Sequence, residues 1–197
     1  MKRRTAICIA APLLALAAAG CSSSSSSSAA AKATPSTMTG TETFTSGKVT
    51  SAKVLESNSP TVPLTYTGVV PATGSFSLGG AGPKKGQTKT FVTSKGNLVL
   101  MVASDTTSAK FVNPSTCMAQ DITTVHYTVA GSQSTGSFKS ASGSGVVVAT
   151  FQANSELNGK CSLANNAEPT TMKGAYILFT GTGPMTVKSL GGTVSES

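Results

Sequence analysis

His126 is the chain's one histidine, and seven carboxylates accompany it: Glu42, Glu56, Asp105, Asp121, Glu156, Glu168 and Glu196. A Ser-His-Asp hydrolase would need His126 aimed at an activated serine. The Gly-x-Ser-x-Gly elbow that presents such a serine does not occur in the sequence. Glycoside hydrolysis needs only two carboxylates at the right separation, so the carboxylate set alone permits it. Sugar sites lean on aromatic platforms, however. This chain has no Trp, and Tyr66, Tyr127 and Tyr176 all lie in strand-like patterns, where Tyr127 and Tyr176 read as core residues. A zinc site of Cys117, Cys161 and His126 lacks the further ligand that a second histidine would supply. The stretch Gly79-Gly80-Ala81-Gly82-Pro83-Lys84-Lys85-Gly86-Gln87-Thr88 looks like a phosphate loop but misses its Gly-x₄-Gly-Lys-[Ser/Thr] spacing, and reads as a long hairpin loop. No catalytic residue, metal site or cofactor is therefore assigned.

The elements that would position these groups are constrained by composition. Of 197 residues only 11% are charged, with 39% hydrophobic, 5% aromatic and 20 glycines. That excludes a coiled coil or a charge-driven disordered chain and leaves room for one domain with appendages. The N-terminus has the layout of an export signal: Lys2, Arg3 and Arg4, then an apolar run from Ile7 to Ala19, then Ala18-Ala19-Gly20 before Cys21. The apolar run is too short for a stable membrane span. Ala18-Ala19-Gly20-Cys21 resembles the lipobox of bacterial lipoproteins, although the residue three before the cysteine is Ala18, where that family usually has Leu. The resemblance implies cleavage after residue 20 and acylation of Cys21, hence palmitate, a membrane anchor and an extracytoplasmic place in the cell envelope. Two or three acyl chains suffice for lasting attachment. The competing reading is an ordinary secretory signal cut near Ala19.

Losing residues 1–20 removes three of the 15 basic residues, leaving 12 lysines against 7 carboxylates and a net charge of +5. Without arginine the chain is poorly equipped to read nucleic acid, and none is expected as a partner. The mild positive charge suits anionic lipid or envelope polymer. Cys8 leaves with the signal and Cys21 is acylated, so Cys117 and Cys161 remain. In an oxidising compartment they pair as a disulfide, closing a loop of 44 residues (161 − 117 = 44). Chain-entropy arithmetic gives that bond roughly 4 kcal/mol.

Residues 21–40 are rich in Ser, Ala and Thr and bury too little to offset their chain entropy, so a disordered linker is expected there. Residues 41–197 change to short β-type runs. Val62, Leu64, Tyr66 and Val70 share one face, and Leu98 to Ala103 is an unbroken apolar run of a strand covered on both sides. Between Ile122 and Ala130, Val125, Tyr127 and Val129 alternate with Thr124, His126 and Thr128, which places His126 on the outer face. Val147, Ala149 and Phe151 share a face of Gly145 to Asn154. Other strand candidates are Glu42–Val54, Thr73–Leu78, Thr88–Thr93, Ala109–Val112 and Thr135–Lys139. Lys173–Thr180 and Pro184–Leu190 read as a closing hairpin through Gly181-Thr182-Gly183, and a short helical turn fits near Asn165–Met172. Many short strands with frequent turn signals make the fold class all-β, a single antiparallel β-barrel or, as the alternative, a β-sandwich. An immunoglobulin-type sandwich would ordinarily supply a buried Trp, which is missing.

One segment carries a family likeness. Ser134-Thr135-Gly136-Ser137-Phe138 running through Ala141-Ser142-Gly143-Ser144-Gly145 into Val146-Val147-Val148 resembles a hairpin of allene oxide cyclase and dirigent-type barrels, as does the Gly174, Tyr176, Leu178 spacing near the end. The resemblance implies the barrel, with Phe138 plugging one end of the core. It carries no activity across, because no catalytic residue of those families is matched. The functional expectation is a lipid-anchored, non-catalytic domain that binds a small apolar ligand or an envelope component. The alternative is a barrel-cavity isomerase or hydrolase using a carboxylate or His126 as acid and base. The sequence leaves the oligomeric state open.

Overall fold

A computed structural model describes residues 36–55, 61–77, 83–164 and 171–188. The expected signal peptide, Cys21 and most of the expected linker lie outside the described residues, as do Glu56, Glu168 and Glu196. The described chain forms β1 (Thr37–Val49), a one-turn helix α1 (Ala52–Leu55), β2 (Thr61–Thr67), β3 (Ala72–Ser77), β4 (Thr88–Thr93) and β5 (Gly96–Asn113). Then come β6 (Met118–Val129), β7 (Ser142–Asn154), a small hairpin β8 (Glu156–Leu157) and β9 (Lys160–Cys161), and β10 (Tyr176–Lys188). Eight strands close an antiparallel barrel in the order β1-β10-β7-β6-β5-β4-β3-β2. Closure leaves the two-sheet sandwich without support.

Alternation decides which side chains enter. Val62, Leu64 and Tyr66 of β2 point inward between exposed neighbours, and β10 buries every second residue from Ile177 to Val187. An eight-stranded barrel encloses a space that side chains nearly fill, and here aromatic rings fill much of it. Phe44 lies 5.3 Å from Phe91 and 5.6 Å from Tyr66, and Phe76 stacks on Phe91 at 4.5 Å between centroids. Two inward glycines make room. Phe44 sits opposite Gly181 and Tyr127 opposite Gly145, each ring occupying the space where a Cβ on its glycine would go.

The barrel has two unlike poles. At one, the segment between β6 and β7 folds over the opening and sinks Phe138, fully buried, into the core. Hydrogen bonds from Thr135 N to Asn97 O, Ser137 N to Lys95 O and Val99 N to the Ser134 hydroxyl fasten this plug to β5 and its preceding turn. At the other pole β5 runs past its pairing with β4. From Ser104 onward its ladder is with β6, so β5 and β6, with β7 beside them, stand above the shorter β2, β3 and β4 as an open rim. Cys117 and Cys161 are joined at this rim, with Sγ atoms 1.97 Å and Cα atoms 4.8 Å apart. The pairing expected from the sequence is thus present. Asn154 Nδ2 donating to Thr116 O and Ser155 N donating to Cys117 O hold the same two segments together.

Several boundaries differ from expectation. β1 starts at Thr37, inside the stretch assigned to the linker, because a ladder with β10 down to Thr37↔Lys188 needs backbone amides rather than apolar side chains; Thr39 and Thr186 hydroxyls add a contact at 2.9 Å. Its far end is Val49, not Val54. Thr135–Lys139 is no strand: Gly136, at φ +59°, opens a 3₁₀ turn through Phe138 that aims the ring inward. The closing hairpin is one continuous strand, β10, in which Gly181 serves as space for Phe44 and not as a turn. Ala109–Val112 belongs to the long β5. In that strand Leu98, Val99 and Leu100 are buried on both faces, whereas Met101 and Ala103 are exposed. Residues 165–170 of the expected helical turn lie outside the described residues.

Candidate functional site in the barrel interior

The alternation that buries Phe44 also buries the residue two before it. Glu42 is on the same face of β1 and has no exposed surface. Its Oε2 accepts from the Val70 amide at 3.1 Å, and the Val69 amide is a second donor, so the carboxyl fastens the β2–β3 turn from inside. Its Oε1 and the hydroxyl of fully buried Tyr66 have no hydrogen-bond partner among the described residues. A buried polar atom left unpaired costs free energy of roughly 1–3 kcal/mol, and two in one core mark a place where packing alone did not choose the residues.

The electrostatics follow from burial. Loss of water pushes the Glu42 carboxyl above its ordinary value, against the pull of its two amide donors. Tyr66 is pushed strongly upward by burial and then by the Glu42 charge. Tyr127 is pushed up to about 12 by burial first and Glu42 second. Both phenols stay protonated and able to donate near neutrality, in the field of the same carboxyl.

Tyr127 links this cluster to open space. Beside it a cavity of about 150 Å³ runs toward the open pole, walled by Phe76, Phe91, Leu100, Val102, Val147 and Phe179. Lys89 and Pro83 contribute to its outer part. A second hollow of about 200 Å³ shares Thr123, Ala149 and Phe179 with it and is bordered by Asp121. Asp121 is half-buried, and burial raises its pKa. The interior thus has apolar walls, a phenol with a carboxyl behind it, and one acidic group at the mouth.

The residues nominated from sequence distribute unevenly around this interior. His126 points outward and is exposed, as its face of β6 predicts, so it takes no part in interior chemistry. Asp105 is exposed on the overhanging part of β5. Glu156, on β8, accepts from Asn154 at 3.0 Å. Of Asp105, Asp121 and His126, Asp121 alone reaches the hollow space. Tyr127 is a core residue as expected. Tyr176 is not: it lies half-buried on the outer wall, accepting from Gln120 at 3.0 Å under the Lys48 ammonium. Sequence reasoning missed Glu42 as an interior group, although Glu42 and Phe44 sit at i and i+2 of one strand, and that spacing is the signal.

No group of three His, Cys, Asp or Glu residues that could hold a metal ion occurs among the described residues. Comparison of the chain with protein-family models, curated proteins and solved structures finds no match.

Proposed function

We propose that this protein is a lipoprotein of the bacterial envelope, acylated at Cys21, whose barrel binds a small apolar molecule through its open pole. The observation that supports binding is the cavity of about 150 Å³ with almost wholly apolar walls. A hollow of this size in a protein core accepts a molecule such as benzene, so the ligand part that enters is one ring or a short branched chain. Tyr127 offers it a single polar contact. The lipobox-like Ala18-Ala19-Gly20-Cys21 supports the anchor.

The test is titration of the full chain with indole and with cyclohexanol, read by thermal unfolding. A ligand at about 100 times its Kd stabilises the native state by roughly 2.7 kcal/mol. Ala149→Leu, which fills the region shared by the two hollows, should remove the shift while leaving the fold intact. An identical shift in wild type and variant overturns the reading.

A second reading, an isomerase or hydrolase working inside the barrel, is favoured by one observation: a buried carboxyl with an unpaired oxygen beside two phenols. In that reading Tyr127 faces the substrate and carries the proton, and Glu42, which lines no part of the cavity, acts through it from behind; His126 points outward. Ligand recovered chemically changed from wild type but unchanged from Glu42→Gln would favour catalysis. Ligand recovered intact from both would leave binding.

A further inference from the structure

The plugged pole carries its own chemistry. Lys95 in the β4–β5 turn, Lys139 just past the Phe138 turn and Lys188 at the end of β10 are all exposed there. Between Lys95 and Lys188 runs a groove of about 360 Å³ with Val69, Pro71 and Met38 in its walls, and Met38 is 46% exposed. The described carboxylates are elsewhere: Asp105, Asp121 and Glu156 belong to the open pole, and Glu42 is sealed in the core. Among the described residues this pole is thus purely basic on its surface, with apolar groups set between the charges. The open pole mixes Lys84, Lys85, Lys110 and Lys160 with its carboxylates.

The same pole is where the chain enters the barrel. Thr37 pairs with Lys188, and the sixteen residues from Cys21 to Ser36 (36 − 21 + 1 = 16) cannot span more than about 58 Å however they are arranged. We infer that the plugged pole is a docking face for an anionic phospholipid bilayer, with Lys95, Lys139 and Lys188 over the headgroups and Met38 reaching between them. The inference extends the anchoring reading to an orientation: the plug faces the membrane and the cavity mouth faces away. Exposed charges act over about 8 Å at physiological salt, so three lysines on one face act together on a surface and the scattered ones do not.

The experiment uses the exported chain with Cys21→Ser, which removes the acyl group but keeps the docking face. It is sedimented with vesicles of phosphatidylcholine alone and of phosphatidylcholine mixed equally with phosphatidylglycerol. Each lysine near an anionic surface is expected to contribute roughly a fivefold factor in partitioning. The triple variant K95Q/K139Q/K188Q should therefore bind the mixed vesicles roughly a hundredfold more weakly, while K84Q/K85Q/K110Q at the other pole should bind as the parent does. Binding that is equal on both vesicle types, or equally reduced in both triple variants, overturns the docking face. Palmitate labelling of the unsubstituted chain separates the two readings. Labelling without lipid selectivity leaves the anchor and removes the docking face; selectivity without labelling does the reverse.

Discussion

Phe44 and Gly181 face each other across the β1–β10 ladder, and the ring takes the volume a side chain at 181 would need. Gly181→Ala would drive its Cβ into the ring carbons of a residue that also touches Tyr66, Phe91 and Tyr127. Overpacking of this kind costs about 1–3 kcal/mol, and the value should appear as a lowered urea midpoint with an unchanged slope. Phe44→Leu/Gly181→Ala should recover part of the loss; a double variant as unstable as the sum of the two singles would refute the shared-space account.

Glu42 sets a dependence on pH. Its folded carboxyl is raised above the ordinary value of 4.5, so between those two points the native state holds a proton that the unfolded chain has lost. The slope of unfolding free energy with pH is then negative: this group's contribution is fullest at and below about pH 4.5 and declines as pH rises through the folded pKa. Asp121 acts in the same direction. Glu42→Gln keeps an oxygen for the Val70 amide and carries no charge, so its urea midpoint should vary less between about pH 5 and pH 8. Parallel curves for wild type and variant would sink this assignment. Glu42→Ala, which leaves the Val70 donor unpaired, should cost about 1–3 kcal/mol more than the glutamine variant.

Reduction of Cys117–Cys161 should lower stability by roughly 4 kcal/mol on the chain-entropy account, a fall of roughly 10 °C in Tm for a domain of this size. The Asn154–Thr116 and Ser155–Cys117 hydrogen bonds remain, so the reduced protein should keep its native fold at room temperature. Circular dichroism before and after reduction, followed by a melt, checks both parts. An unchanged Tm with free thiols at both positions would refute the stabilising role.

Phe138→Ala removes the plug from a fully buried site. The expected cost is about 3–5 kcal/mol. The variant should also admit apolar probes from the closed pole, where the parent excludes them. A mild loss of under about 1 kcal/mol would mean that the pole collapses around the missing ring.

Sequence reasoning found the strands wherever alternation was clean. Val62, Leu64 and Tyr66 fall on the buried face as their spacing demands, Thr88–Thr93 matches β4 at both ends, and His126 lies on the exposed face of β6. It failed where a residue's role is set across the barrel rather than along the chain. Gly181 and Gly183 have the composition of a turn, and only the presence of Phe44 on the neighbouring strand turns the first of them into packing space. Thr135–Lys139 has strand-forming residues, but burial of Phe138 rewards a tight turn over an added strand. Glu42 stood as one carboxylate among seven with no interior role assigned, an acidic residue being seldom placed inside; its partners, the amides of Val69 and Val70, come from a turn about 28 positions away.

The ring of strands is sealed by pairing its first member with its last, β1 against β10. Arrival and departure of the described backbone are thus settled on the Phe138 side, while at the far rim the β5–β6 and β7–β10 crossings are tied to each other by Cys117–Cys161. Lengthening or trimming those crossings leaves the seam untouched. The mouth can accordingly be refashioned for a different guest while the foundation stays as it is, with Gly181 and Phe44 standing directly in that seam as its least negotiable joint.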